Sequence, residues 1–209
     1  MIFRFTKNVD LNNPRMVSMT KTFLSLIAAV GLLASSASFA IVPTKAMTFD
    51  TNVTPYGTSS TQESKLQSAE RKIREVIGSE AFRTAVINHT YGGRKTFKDN
   101  GGLTNTQIYL KILDAAEKLQ PTKNNTMDLG VKLYYENSDT VGFTMTNSKV
   151  INMNKKFFNT YTATQVSRNM MHEWLHKLGF KHAVSYSTSR DYSVPYAIGS
   201  IMQRLAANY

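Results

Sequence analysis

"HEWLHKLGFKH", residues 172–182, holds three of the chain's four histidines and places a glutamate directly after the first of them. On an α-helix each residue turns by about 100°, so His172 and His176 project from one face, one turn apart. Glu173 lies beside that pair, close enough to reach a water on a shared ion without binding the ion itself. Gly179 stands where a helix ends in a left-handed residue, which glycine adopts without a steric penalty. A reversal there returns the chain beneath the helix, and His182 is then expected to complete a three-nitrogen site. At ordinary residue usage these five fixed positions coincide in roughly one chain of this length in 10⁵. A histidine pair alone would read as core.

Three protein nitrogens leave a fourth zinc position open, the arrangement of catalytic rather than structural zinc. Water bound there has its pKa lowered toward about 7. Glu173 is placed to take its proton, orient the nucleophile and later protonate a departing amine. Cysteine is absent, which excludes disulfides, thiolate ligands and a cysteine nucleophile. Three imidazoles suit zinc well.

Upstream of the motif, "TYTATQVSRNMMHEWLHKLG" opens with Thr162 and Gln165 in capping-box spacing, predicting a helix to about Leu178. Strand-like segments precede it at 127–135, 140–146 and 149–154, the last two joined as a hairpin by a "TNS" turn. Helical periodicity runs through "TQESKLQSAERKIREVI" and "SEAFRTAVINH", then through "TNTQIYLKILDAAEKL", whose apolar stripe reaches Leu119. "YGGRKTFKDNGG" reads as loop, and Trp174 is expected to pack the motif helix on the sheet. His89 reads as a surface or satisfied core histidine, because no partner stands at ligand spacing. The order of helices, three strands and a motif helix predicts an α+β domain with a small twisted mixed sheet packed on helices.

Lys21 is followed by "TFLSLIAAVGLLASSASFA", which ends in the small-x-small pattern of a signal-peptidase site at Ser38 and Ala40. Residues 1–40 are therefore expected to form a signal peptide with an over-long N-terminus, the start being Met1, Met16 or Met19. An uncleaved anchor is the alternative. Residues 41–61 read as a linker or short pro-segment, and 62–209 as the catalytic domain. The expected product is secreted or periplasmic, monomeric and without a membrane span. Its formal charge falls from +11 to +8, with 21 basic against 13 acidic residues. That excess suits an anionic cell-surface polymer, but no motif for specific nucleic-acid recognition is present.

The stretch 172–182 resembles the H-E-x-x-H-x-x-G-x-x-H signature of the metzincin zinc endopeptidases. That family carries a methionine in a tight turn beneath its metal, and "GSIMQ" (199–203) resembles it, closest to the S-I-M wording of astacin-like members. The resemblance implies Zn²⁺ held by His172, His176 and His182, with Glu173 as general base and acid and Met202 as the Met-turn floor. It also implies a metzincin-like fold, in which a short C-terminal subdomain follows the active-site helix. Astacin-like members have a tyrosine two residues after that methionine; here Arg204 stands there. Tyr192 and Tyr196 are instead candidates to line the pocket. The strand containing Gly142, Phe143 and Thr144 is the candidate edge for an extended peptide substrate. The implied activity is zinc-dependent hydrolysis of a protein or peptide. A non-catalytic zinc protein holding an anionic polymer, or a peptidase of cell-wall cross-links, are the alternatives.

Overall fold

The computed structural model describes residues 2–6, by their backbone, and 48–209. The expected signal segment from Lys21 and its cleavage site lie outside these residues. The strands in chain order are β1 (Ile2–Thr6), β2 (Asp50–Tyr56), β3 (Thr126–Tyr134), β4 (Thr140–Met145) and β5 (Val150–Asn154). They form one mixed sheet in the order β1-β4-β5-β3-β2. β3 runs parallel to β2 and β5, while β4 is antiparallel to β5 and β1. The hairpin of β4 and β5 and the span of β3 follow the alternation in the sequence. Met127, Leu129, Val131 and Leu133 of β3 all enter the core.

The helices are α1 (Ser60–Ile77), α2 (Glu80–Ile87), α3 (Asn105–Asp114), α4 (Lys155–Phe158), α5 (Ala163–Lys177) and α6 (Val194–Ala206). Capping boxes at Ser59/Gln62, Thr104/Gln107 and Thr162/Gln165 start α1, α3 and α5. In each, the hydroxyl accepts the backbone N–H three residues on while the glutamine returns to the cap N–H, satisfying donors a helix start leaves orphaned. Leu66, Ala69, Ile73 and Val76 of α1 form its buried stripe. Every residue of α5 from Val166 to Lys177 is buried. A helix enclosed on all sides is central to its domain. Here α5 lies between the sheet and a layer made by α1 and α6.

Three expectations change. Residues 50–56 belong to the sheet as β2, so the segment read as linker contributes a strand. Its "DTNVTPY" carries little apolar alternation and a proline, as an outermost strand can tolerate; pairing with β3 along its whole length defines it. α3 stops at Asp114, where Ala115 takes a left-handed φ of 51°. Leu119 therefore leaves the stripe and is 46% exposed. The C-terminal segment forms no subdomain of its own: Val194, Ile198, Ile201 and Met202 of α6 share the core with α1, α5 and the sheet. The result is a mixed α/β fold, consistent with the α+β class.

Candidate metal centre

The centre is built on the last turn of α5. Gly179 takes φ +100°, the left-handed conformation its sequence position called for. Two bonds close the turn around it: Phe180 N–H donates to the Leu175 carbonyl and Gly179 N–H to that of His176, both at 3.0 Å. This is the paired six-to-one and five-to-two bonding that ends many helices, here with Leu175 and Phe180 both buried beside it. The reversal carries His182 back against the helix.

His172, His176 and His182 are all buried, and one potential ligand atom from each lies within 4.8 Å of the others. These three residues lie close enough to bind a metal ion. Their rings are separately steered. His176 Nδ1 is 2.8 Å from the Phe180 carbonyl and His182 Nδ1 is 2.8 Å from that of Ala183. A carbonyl only accepts, so each Nδ1 carries the proton and each Nε2 keeps its lone pair. Holding the distal nitrogen in this way is what orients metal-binding imidazoles. The Nε2 atoms of His172 and His182 meet at 3.2 Å.

Burial depresses the basicity of all three. His176 is pushed down to about 3, chiefly by burial, although the Phe180 carbonyl acts in the other direction. His172 falls well below its ordinary value through burial, with neighbouring His176, His182 and Arg168 adding to it. Burial likewise lowers His182. Neutral imidazoles, three together and without a carboxylate or thiolate among them, are a donor set suited to a borderline divalent cation.

Glu173 is fully buried. Loss of hydration holds its carboxyl well above the ordinary range, with Lys177 pulling the other way. Its oxygens stand outside the close group of ligand atoms, which suits a base better than a ligand. Trp174 is buried as expected, and its indole N–H donates to Glu117 Oε1 at 2.6 Å.

The two tyrosines separate. Tyr196 is buried against two of these histidines, edge-on to the His172 ring at 4.5 Å and to the His182 ring at 4.7 Å. The guanidinium of buried Arg190 covers it at 4.7 Å. Tyr192 is 40% exposed and turns away. With His89 and Tyr91 it lines a groove of about 910 Å³ reaching Arg204, so it is not brought to the triad. His89 stacks on Phe97 at 4.0 Å, and burial lowers its pKa to about 4.

Met202 does not sit in a tight turn. It is a buried residue in the body of α6, because "PYAIGSIMQRLA" is an amphipathic run with Pro195 in its first turn and no breaker after the methionine. The strand expectation also changes. Gly142 and Thr144 face inward and are buried, with Gly142 against Asn169 of α5, while Phe143 meets Tyr134 edge-on at 5.3 Å. β4 is not an open edge either, since Ile2–Thr6 pairs along it.

Sequence reasoning missed Gly199, Arg190 and Asn169. At Gly199 an added Cβ would lie 3.4 Å from the Arg168 carbonyl and 3.6 Å from His172 Cβ, so glycine lets α6 pack close against α5. A glycine inside a helical run was the available signal. Nothing in the pattern marks Arg190. Asn169 stands one turn before Glu173, at a spacing that could have been read. Comparison of the chain with protein-family profiles, with curated proteins and with solved structures finds no match.

Proposed function

We propose that this chain is an exported zinc-dependent endopeptidase resembling the metzincins, acting on a protein or peptide substrate. The observation that carries the reading is the convergence of His172, His176 and His182, with a buried glutamate next to the first. Zinc, when bound, supplies a Lewis acid for the scissile carbonyl and makes water acidic near neutral pH. The three Nε2 atoms would hold it, and the Nδ1 bonds to the Phe180 and Ala183 carbonyls keep those rings from turning.

Glu173 takes the proton of the attacking water and hands it to the departing amine. Its burial favours the work, because a carboxyl with raised proton affinity is a stronger base near pH 7 than an exposed one. Tyr196 walls the site between two ligands, and Arg190 behind its ring favours negative charge on that side. The helical setting of Met202 departs from the family pattern, so its role here is packing.

Removal of residues 1–40 on export would also strip Ile2–Thr6 from β4 and leave a row of backbone groups open to an extended peptide. The basic mature chain suits substrates at an anionic cell surface.

Purified mature protein should contain about one equivalent of zinc and cleave an unstructured protein. A chelator should abolish cleavage and added zinc restore it. Zinc without turnover on casein or wall fragments would leave a metal-containing binding protein as the answer.

A further inference from the structure

Asn169, Glu173 and Lys177 follow one another at four-residue spacing, forming a single polar stripe on α5. Both ends of the stripe are pinned to the β4–β5 hairpin. At one end Asn169 lies against Gly142, where an added Cβ would stand 3.0 Å from Asn169 Nδ2. At the other end Lys177 Nζ donates to the carbonyls of Met145 and Val150, each at 3.2 Å, and to that of Ser148. Four residues of helix rise about 6 Å, and two residues of strand about 6.6 Å. The middle of the stripe, Glu173, therefore falls opposite Thr144, whose side chain shares the inner face with Gly142.

Thr144 is 1% exposed, and Asn169 and Glu173 are 0% exposed. Thr144 Oγ1, both amide atoms of Asn169 and both carboxyl oxygens of Glu173 meet no hydrogen-bonding group among the described residues. A buried polar group left without a partner is destabilising, and adjoining ones call for a shared polar occupant. A cation is disfavoured, since the stripe has a single carboxyl and already carries the Lys177 ammonium. Water fits: it donates two hydrogen bonds and accepts two, and buried waters typically make about three.

We propose that Thr144 and Asn169 bind a buried water that hydrogen-bonds Glu173, making both of them positioning residues for that carboxyl. Asn169 Nδ2 donates to the water, the water donates to Glu173, and the Thr144 hydroxyl closes the set. The catalytic consequence rests on the role proposed above for Glu173, whereas the hydration site does not.

High-resolution crystal structures of the mature protein and of Thr144→Val test the site directly. One ordered water within about 3.2 Å of Thr144 Oγ1, an Asn169 amide atom and a Glu173 oxygen is expected, and it should be lost or displaced in the variant. In turnover assays Thr144→Val should lower kcat roughly tenfold, with KM and zinc stoichiometry unchanged, and Thr144→Ser should restore most of it. A dry contact, with Glu173 bonded directly to Thr144 or Asn169, overturns the proposal. So does equal loss in the Val and Ser variants. A water in place without any peptidase activity would instead defeat the enzymatic reading and leave the hydration site standing.

Discussion

His89 and the triad are two fates of the same side chain. His89 lies flat on Phe97, and among the described residues it belongs to no group of three potential metal ligands. His172, His176 and His182 converge at ring separations of 4.9 to 5.1 Å, the first two edge-on and His182 tilted to both, with His176 and His182 held from behind by carbonyls. Burial lowers the basicity of both groups, to about 4 for His89 and about 3 for His176. A depressed pKa therefore does not distinguish a packed imidazole from a ligand. Convergence of lone pairs does.

The largest expected contrast is in metal. His176→Ala should reduce bound zinc from about one equivalent to none, whereas His89→Ala should leave the stoichiometry unchanged. Elemental analysis of the dialysed proteins decides it, and zinc lost from His89→Ala would erase the contrast. Next comes chemistry. Glu173→Gln should keep its zinc yet lose about 10²- to 10⁴-fold in kcat. Unimpaired cleavage by that variant would remove Glu173 from the mechanism.

Tyr196 and Tyr192 carry the comparison into stability. Emptying the space of the Tyr196 ring should cost about 3–5 kcal/mol, while Tyr192→Ala should stay within about 0.5 kcal/mol. Denaturant titration of both variants measures the gap, and similar midpoints would contradict the packing of Tyr196 against the imidazoles.

The smallest effects are those of pH. Histidines with lowered native pKa bind protons more readily when unfolded. Metal-free protein should therefore lose stability as pH falls from about 6.5 toward the native values of about 4 and 3. His89→Phe should flatten part of that acid limb and leave the triad's share. Glu173 has the opposite sign: its raised pKa means stability declines as pH rises above about 4.5. Glu173→Gln should remove that decline in metal-free protein unfolded at pH 5 and pH 8, and an unchanged slope would show that the carboxyl keeps its ordinary affinity.

Much of the centre was legible because its pieces are local. Four-residue spacing, a capping box and one glycine suffice to specify where α5 begins, which face holds His172 and His176, and where the chain turns back. β3 and the β4–β5 hairpin were legible for the same reason, as alternation and a short turn need no distant partner. The C-terminal methionine misled because a three-residue likeness says nothing about backbone shape, and the amphipathic run around it wins as a helix. β2 was hidden because an edge strand with polar residues and Pro55 draws its definition from β3, across a long stretch of chain. The inward turn of Gly142 and Thr144 depended likewise on α5 lying across β4.

From sequence alone came the composition of the site: three imidazoles and one carboxyl on or just beyond a single helix, set by helical periodicity and by the left-handed freedom of Gly179. Only the tertiary structure decided that Tyr196 rather than Tyr192 stands beside the imidazoles, that Met202 is packing, and that Asn169 and Thr144 face the Glu173 side of the helix. Those choices depend on which elements come to lie against one another. Contacts between distant segments leave no period in the chain.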